Sequence, residues 1–283
     1  MPRTTRPRKG TARGARRTSA ERPPSPSPQP SARTPEAPPA DDLRYLYGIV
    51  RDAEDLAFGY IGLGVPAADV YAVREAGLAA LVSVAPGWVV DPTRANLLGH
   101  QRVSEAILRE HTLLPVAFGT VLTSEAQVHE LLRTGHSALS RVLDTLEGKV
   151  ELGVKVLYHR EHLLQRLMLE DSLLARRPDE SEAEHARRLD AAVEDRARRD
   201  MHALMDGLRP RAAATREHPP VGERMLLNAA FLVEREALES FEEKVRSLAA
   251  RSNTYAFRFT GPWAAYSFVD MRLELRDAGA EET

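Results

Sequence analysis

The chain has 283 residues and a formal net charge of −2, which hides a basic segment joined to an acidic remainder. Residues 1–40 carry nine Arg and Lys against two Glu, whereas residues 41–283 carry a net charge of −9. Cysteine is absent, which excludes disulfides and thiolate metal sites and favours a reducing compartment, so we expect a cytoplasmic protein. No apolar run approaches the length of about 18 residues that a membrane helix needs, so we expect no membrane span.

The first 40 residues differ in composition from the rest of the chain. They hold ten of the 19 prolines and almost no large apolar side chains. Such a segment cannot bury enough surface to offset the entropy of ordering it, so we expect a disordered tail without a secretory signal. Its positive charge could contact nucleic acid or an acidic surface, but a solubilising leader is the favoured interpretation, because no aromatic residue is present for base stacking.

The first predicted elements after the tail are strands. Residues 43–50 read LRYLYGIV, and this enrichment in aromatic and β-branched residues is typical of a strand. Two shorter strands are expected at 70–74 and 78–84. They flank Glu75-Ala76-Gly77, which predicts a tight hairpin turn.

A helix is expected next, followed by a strand at the edge of a sheet. Asp91 suits the N-cap position and Pro92 the first turn of a helix that runs to about Glu110. The apolar run at 113–122 then contains Pro115, which cannot donate a ladder hydrogen bond. We therefore expect this run to form an edge strand.

The second helix and the strand after it complete an α+β pattern over residues 41–158. Ser124 and Gln127 have the spacing of a capping box. The expected buried stripe of the helix consists of Val128, Leu131, Leu132, Leu139, Val142, Leu143 and Leu146. A strand at 150–158 follows, and the whole is compatible with a ferredoxin-like split βαβ domain.

Residues 159–283 predict a second domain that begins with long charged helices. Between 159 and 218 a narrow apolar stripe lies under residues of mixed charge, which indicates a helical hairpin that ends near Pro210. A unit of strand, helix and strand is expected at 225–269, and its connection length favours parallel pairing.

The most distinctive stretch is TYAFRFTGPWAAYSFV at 254–269. Tyr255, Phe257 and Phe259 alternate with smaller or polar residues, which predicts a strand with one buried face. Gly261-Pro262 should end the ladder, because proline fixes φ and lacks an N–H group. Trp263 and Tyr266 follow this break.

Motifs for catalysis and for cofactor binding are weak in this sequence. His129-Glu130 begins an HExxH pattern, but Arg133 takes the place of the second histidine. His100 and His111 could be assigned to a haem, although lone histidines are weak evidence for that. Nucleophile elbows and phosphate-binding loops are absent from the sequence, so we expect a protein that is not an enzyme and has neither cofactor nor metal.

Four stretches keep one order and spacing through most of residues 41–269. They read YLYGIV at 45–50, LPVAFGTV at 114–121, ELGVKV at 151–156, and LNAAFLV at 227–233 leading to TGPWAAYSF at 260–268. Together they resemble the gas vesicle protein F/L family, the accessory proteins of gas vesicle assembly. The resemblance implies an N-terminal ferredoxin-like-variant domain, a C-terminal α+β domain with long helices, and no catalysis.

The resemblance also implies a partner. It is the small, very hydrophobic shell protein of the gas vesicle, which such a chain would bind as a chaperone or adapter, with other accessory proteins as further candidates. Neither a membrane nor nucleic acid is an expected partner of residues 41–283. The alternatives left open are a nucleic-acid-associated protein with a sheet like that of an RNA-recognition motif, and a haem or flavin protein on a ferredoxin-like scaffold.

Candidate residues for partner binding come from the proline-containing run and from the aromatic stretch. Apolar side chains of the run and aromatic side chains beside Gly261-Pro262 could hold an oily partner. The candidates are Leu114, Val116, Phe118, Val121, Arg258, Trp263 and Tyr266. A role of the large aromatics in covering a domain core is the stronger interpretation, because this is their more frequent position.

Overall fold

The computed structural model describes residues 42–222, 224–251 and 254–270. The basic segment 1–40, for which we expect disorder, lies outside these residues. The described chain forms two antiparallel sheets with helices packed against them. This mixture confirms the expected α+β class.

The first sheet lies between two helices. Its elements are β1 (Arg44–Arg51), β2 (Tyr71–Glu75), β3 (Leu78–Val84), α1 (Arg94–Leu108), β4 (Leu114–Pro115), β5 (Val121–Leu122) and α2 (Glu125–Leu146). The strand order is β2-β3-β1-β4, and β5 also pairs with β1. Tyr45 of β1 belongs to the core that contains Ile107 of α1, whereas Leu46 belongs to the core that contains Leu132 of α2. Successive residues of β1 therefore face different helices.

The expected hairpin between β2 and β3 is confirmed. Ala76 and Gly77 have φ values of 51° and 82°, and two successive positive values are what a type I′ turn requires. Two histidines of α2 hold this turn: His129 Nδ1 lies 2.9 Å from a carboxylate oxygen of Glu75, and His136 Nε2 lies 3.0 Å from the carbonyl oxygen of Ala76. These histidines therefore dock α2 onto the hairpin.

The first helix begins later than expected, so the assignment of Asp91 as its N-cap is wrong. Thr93 is the cap, and its hydroxyl accepts a hydrogen bond from the backbone N–H of Asn96. The Asp91 carbonyl instead accepts from the Thr93 N–H and from the Asn96 side chain, at 2.8 and 2.9 Å. The Asp-Pro step thus forms a turn ahead of the helix.

The apolar run at 113–122 does not form a single edge strand. It contributes two strands of two residues each, β4 and β5, which pair with β1 and are separated by a loop. Pro115 cannot continue the ladder, and Gly119 has a φ of 87°, which takes the chain out of extended geometry. Leu114 and Val116 are buried, so much of the run faces inward.

The second helix follows the sequence pattern closely. Ser124 caps α2 by accepting from the backbone N–H of Gln127, whose side chain accepts from Thr123 and not from the cap residue. All residues of the expected stripe are buried except Val142, which is partly buried. Gly135 lies within the helix and does not end it. The wide apolar face explains why α2 covers one side of the first sheet.

The second sheet has helices against one face. Its elements are β6 (Lys149–Tyr158), α3 (Arg160–Glu170), α4 (Glu182–Leu208), β7 (Ala214–Glu217), β8 (Met225–Glu234), α5 (Leu238–Ala250) and β9 (Tyr255–Trp263). The strand order is β7-β8-β6-β9. The strand β7 was not expected, because it lies within residues 159–218, for which only helices are predicted. The sequence of β7, ATRE, lacks the apolar alternation that predicts a strand.

The strands β8 and β9 are not paired with each other, so the inference of a parallel pair is wrong. Each is antiparallel to β6, which lies between them. This is a split βαβ unit, in which the helical connection crosses over a strand inserted between its two ends. The ferredoxin-like variant that we expect for residues 41–158 stays a prediction.

The last strand continues through Gly261-Pro262, contrary to the expectation that the ladder ends there. The register passes from Gly153↔Thr260 to Glu151↔Trp263, which places one extra residue on β9 and forms a β-bulge. Because β9 is an edge strand, it can include Pro262, whose missing N–H does not interrupt the hydrogen bonding inside the sheet. The bulge carries the strand on to Trp263.

The expected helical hairpin is present as α3 and α4. A capping box starts α4, in which the Ser181 hydroxyl accepts from the Glu184 N–H and the Glu184 carboxylate accepts from the Ser181 N–H. Val193, Ala197 and Leu208 of the predicted stripe are buried in the core of the second sheet. The opposite side of α4 carries the mixed charges, as the narrow stripe predicts.

Candidate functional site

A groove opens between α1, the loop after β4 and the chain after β9. Its volume is about 390 Å³. It is lined by His100, Gln101, Ser104, Glu105, Leu108, Phe118, Trp263, Ala264 and Tyr266. Three separate parts of the sequence therefore meet at one surface.

The α1 wall of the groove follows from helical spacing. His100, Ser104 and Leu108 are four residues apart, and Gln101 and Glu105 form a neighbouring row, so all five project from one side of the helix. Leu97, an apolar residue of the same helix, is 45% exposed. The buried face of α1 instead includes the small or polar residues Gly99, His100 and Ser104, and such residues do not give a strong apolar signal.

The far end of α1 is fixed by a contact from the second half of the chain. The guanidinium of Arg235 donates a hydrogen bond to the carbonyl oxygen of Leu108, and the Arg235 backbone N–H donates to the carbonyl of Gly148. A cation at the C-terminal end of a helix is favourable, because the last carbonyls have no partner within the helix. This contact positions Leu108 at the edge of the groove.

A chain of hydrogen bonds forms the floor of the groove. The Tyr45 hydroxyl accepts from the Gly119 N–H at 3.1 Å and lies 2.8 Å from His100 Nδ1. On the other side of the ring, His100 Nε2 lies 2.9 Å from the Tyr266 hydroxyl, which lies 3.1 Å from Ser104 Oγ. The network ties the groove's three walls together through one imidazole.

Aromatic rings surround this imidazole. His100 stacks on Tyr47 with ring centres 5.8 Å apart and an interplanar angle of 30°, and it meets Phe118 edge-on at 5.8 Å. Tyr47 is itself held by the Ser83 hydroxyl and the Leu63 N–H, at 3.0 and 2.8 Å. Packing and hydrogen bonding thus leave the His100 ring little freedom of orientation.

The floor of the groove is electrically neutral at ordinary pH. Burial lowers the pKa of His100 from 6.5 to about 4, because the charged imidazolium would lose its hydration. Burial also raises the pKa of the Tyr45 and Tyr266 hydroxyls. A neutral imidazole carries one N–H, so one ring nitrogen donates and the other accepts. The groove therefore offers hydrogen-bonding groups without a net charge at its base.

This arrangement is suited to binding more than to bond cleavage. The Ser104 hydroxyl reaches His100 only through Tyr266, whereas an activated serine needs the base directly within hydrogen-bond reach. Both nitrogens of His100 have tyrosine partners, so a metal or haem iron could bind the ring only after one of these bonds is broken. Within the ranges that the structure describes, no group of three or more His, Asp or Glu is placed to hold a metal ion.

Comparisons with known proteins identify the family. A family model described as "Gas vesicle synthesis protein GvpL/GvpF" matches residues 43–270. The chain belongs to the GvpL/GvpF family. Gas vesicle protein F2 of Halobacterium salinarum is 29% identical over 84% of this chain and 94% of its own length, and gas vesicle protein L of a Streptomyces species is 30% identical over 83% and 95%.

Solved structures of the family agree with the fold. The crystal structure of GvpF from Anabaena sp. PCC7120 matches with a TM-score of 0.68 and 26% identity, and the match covers 82% of this chain and 99% of that one. Among the described helices, none is both long enough and apolar enough to cross a membrane. The family that shares this fold is described as taking part in gas vesicle synthesis.

The GvpL/GvpF stretches noted in the sequence occupy central positions. Residues 45–50, 151–156 and 227–233 lie in β1, β6 and β8, which are inner strands of the two sheets. Residues 114–121 and 260–268 include the two loops that border the groove. The stretches that resemble the family thus lie in inner strands of the sheets and beside the groove.

The groove brings together three of the seven residues proposed for partner binding. Phe118, Trp263 and Tyr266 line it. Leu114 and Val116 are instead buried in the core beneath α2, and Val121 packs against the core on the α1 side. Arg258 lies on the exposed side of β9. A role in partner binding stays a prediction for all seven.

Sequence reasoning missed the α1 side of the groove. Ser104, Glu105 and Leu108 were not proposed, and His100 was considered only as a haem ligand. A signal was present, since polar residues at His100 and Ser104 interrupt an otherwise apolar helix face at a spacing of one turn. The partners of those polar groups, Tyr45 and Tyr266, lie far away in the sequence and could not be assigned from spacing.

Proposed function

We propose that this protein is a non-catalytic accessory protein of gas vesicle assembly that acts in the cytoplasm. In this role it binds the hydrophobic shell protein of the vesicle through the groove, as a chaperone or adapter. The membership in the GvpL/GvpF family supports the setting, and the absence of cysteine fits a reducing compartment. The groove is the observation that carries the binding role.

The walls of the groove have the composition that an oily segment requires. Leu108, Phe118, Trp263 and Ala264 supply apolar surface, and Tyr266 is 41% exposed. A partner side chain in the groove would remove this surface from water, which stabilises a complex by about 25 cal/mol per Å² of apolar area. Large aromatic side chains in a desolvated pocket are frequent sources of binding free energy.

The floor and rim of the groove supply the polar contacts. The hydroxyl groups of Tyr266 and Ser104 and the side chains of Gln101 and Glu105 lie beside the apolar walls. They can donate to or accept from the backbone of a bound segment, which otherwise would lose its hydrogen bonds to water. An apolar anchor with a polar surround is the usual composition of a peptide-binding site.

Co-expression with the shell protein tests this role. Tagged full-length chain should keep the shell protein in the soluble fraction and should co-purify with it. The Trp263→Ala variant should lose most of this co-purification, because the groove loses its largest apolar wall. Trp88→Ala is the matched control, since the chain has two tryptophans and Trp88 is 46% exposed in a bend outside the groove.

The outcomes separate a binding role from a packing role. Loss of co-purification by Trp263→Ala at an unchanged melting temperature supports binding through the groove. A melting temperature that falls by several degrees indicates that Trp263 mainly packs the fold. Shell protein that stays insoluble with the unaltered chain contradicts the proposal.

A further inference from the structure

The face of the second sheet opposite α3, α4 and α5 carries two neighbouring cations. Lys155 of β6 lies directly opposite Arg258 of β9, and Asn228 of β8 lies opposite Lys155 on the other side. The residues that flank Lys155, Val154 and Val156, belong to the core under the helices. Side chains alternate along a strand, so Lys155 projects from the outer face, where both cations are exposed.

The acids on this outer face already have partners. Glu151 accepts two hydrogen bonds from Ser267, both at 2.7 Å. Asp270 accepts from both terminal nitrogens of Arg216, at 2.8 and 2.6 Å. Within the described part of the chain, the side chains of Lys155 and Arg258 form neither an ion pair nor a hydrogen bond.

Like charges directly opposite each other on neighbouring strands destabilise a sheet. Lys155 and Arg258 repel each other in this way, although residues 41–283 have a net charge of −9 and therefore many acidic side chains. The positions beside the two cations on the same face hold Gly153, Leu157, Ala256 and Thr260, none of which is acidic. The cations are thus exposed, adjacent and uncompensated.

We propose that Lys155, Arg258 and Asn228, here called the cation row, bind a carboxylate-bearing peptide segment of a partner protein. The β-carbons of directly opposite residues lie about 4.5–5.5 Å apart, so both cations can reach one carboxylate. The planar guanidinium of Arg258 matches the two oxygens of that carboxylate. Asn228 already donates to the carbonyl of Pro219 at 3.1 Å, which leaves its amide oxygen to accept from a peptide N–H group.

A peptide fits this surface better than nucleic acid does. The cation row and its neighbours on the outer face, among them Ala256 and Thr260, contain no aromatic side chain for base stacking. The negative charge of residues 41–283 repels an extended polyanion, whereas one or two carboxylates can approach two local cations. Charge complementarity therefore selects an acidic peptide.

Binding of a defined peptide probe tests the proposal. The probe is a fluorescent Ser-rich peptide that carries two Glu residues, and the comparison peptide carries Gln in place of each Glu. The full-length chain should bind the Glu peptide more tightly, and added salt should weaken the complex. The double variant Lys155→Gln, Arg258→Gln should bind the Glu peptide about tenfold more weakly, since two charge-assisted contacts are lost.

A second double variant controls for the change in net charge. Arg94→Gln with Arg109→Gln removes the same charge from two exposed arginines at the ends of α1. This variant should bind the Glu peptide as the unaltered chain does. Equal loss of affinity in both double variants, or equal affinity for the Glu and Gln peptides, overturns the proposal.

The variant Lys155→Glu separates binding from folding. It converts the like-charge pair into an opposite-charge pair with Arg258, so the melting temperature should rise by about 1–2 °C. Binding of the Glu peptide should nevertheless be lost. A variant that is destabilised, or that keeps its affinity, contradicts the proposed role of the cation row.

Two further measurements test the identity of the occupant. A single-stranded oligonucleotide that displaces the Glu peptide only when Lys155 and Arg258 are present would show a nucleic-acid surface and overturn the proposal. Deletion of residues 271–283, which include Asp277, Glu281 and Glu282, should leave the affinity unchanged. A clear increase in affinity would show that carboxylates of the same chain compete for the row, and a partner would not be needed.

Discussion

At the scale of single residues, the groove depends on how His100 is held. The ring is buried and hydrogen-bonded through both nitrogens, to Tyr45 and to Tyr266. Tyr45 belongs to β1 and Tyr266 to the chain after β9, so the imidazole connects these two parts of the chain through the middle of α1. The neutral form of the ring is the one that the folded protein favours.

The stability of the fold should depend on pH through His100. Its pKa falls from 6.5 to about 4 on folding, so the unfolded chain binds a proton more readily between these values. The full contribution is present above about pH 6.5, and about 3 kcal/mol of it is lost as the pH falls to 4. Urea unfolding at a series of pH values measures this loss.

The variant His100→Gln should lack this part of the pH dependence. His202→Gln is the control, because His202 is exposed on α4, and this variant should keep the pH dependence that His100 supplies. Arg188 lowers the pKa of Glu180 to about 2, so the contribution of that carboxylate is lost below about pH 4.5, and it is lost in His100→Gln and in the unaltered chain alike. An unchanged slope in His100→Gln would contradict the assignment.

The hydroxyl of Tyr45 should stabilise the fold measurably. Tyr45→Phe leaves the Gly119 N–H and one nitrogen of His100 without their partner in a buried place, which should lower the free energy of unfolding by about 1–3 kcal/mol. Tyr60→Phe is a matched control, because Tyr60 is 78% exposed, and it should be neutral. Equal stability of both variants in chemical unfolding would contradict the network.

At the scale of elements, the bulge in β9 places Trp263 at the groove. Gly261 has a φ of 118°, and a β-carbon there would lie 2.8 Å from the carbonyl oxygen of Glu151. Only glycine fits both conditions, because other residues avoid this φ and the neighbouring atom belongs to the backbone. The extra residue shifts the end of the strand and thereby directs Trp263 and Tyr266 toward the groove.

Substitution of this glycine should destabilise the protein strongly. Gly261→Ala should lower the free energy of unfolding by about 2–4 kcal/mol, because backbone strain and steric overlap add. Gly59→Ala is the comparison, since Gly59 has a φ of 68° and a β-carbon added there would meet no atom within 4 Å; it should cost only about 1–2 kcal/mol. Equal effects in the two variants would contradict a steric role for Gly261.

Local sequence patterns predicted most of the long helices and strands. The elements that these patterns missed or cut short have physical explanations. The stripe of α2 and the charged hairpin of α3 and α4 follow from helical periodicity. The strand β7 was missed because it is a short edge strand of polar residues, and β9 was cut short because an edge strand tolerates Pro262. Strand order depends on pairing across long separations, which local periodicity does not contain.

The candidate site was only half predictable for the same reason. Trp263, Tyr266 and Phe118 were chosen for their aromatic character, and the fold brings them together. The α1 wall, with Ser104 and Leu108, depends on the rotation of a helix whose buried face is partly polar. That rotation is set by Tyr45 and Tyr266, which lie 55 and 166 residues away from His100.

At the scale of the whole molecule, we propose that this GvpL/GvpF family protein acts by holding an oily protein segment in the groove. Three walls from distant parts of the chain form the groove, so its shape depends on the complete fold. The cation row includes Arg258, which lies on the same strand as Trp263, and we propose that this charged surface binds a different kind of partner.

Photo-crosslinking from inside the groove shows whether a segment of the shell protein lies there. A photoreactive phenylalanine analogue replaces Gln101, which lines the groove, and a matched variant carries it at Leu169, which is 89% exposed on α3 outside the groove. On irradiation of cells that co-express the shell protein, we predict a crosslinked adduct with the shell protein from position 101 and none from position 169. Absence of the adduct at 101, or equal adducts from both positions, would contradict the proposal.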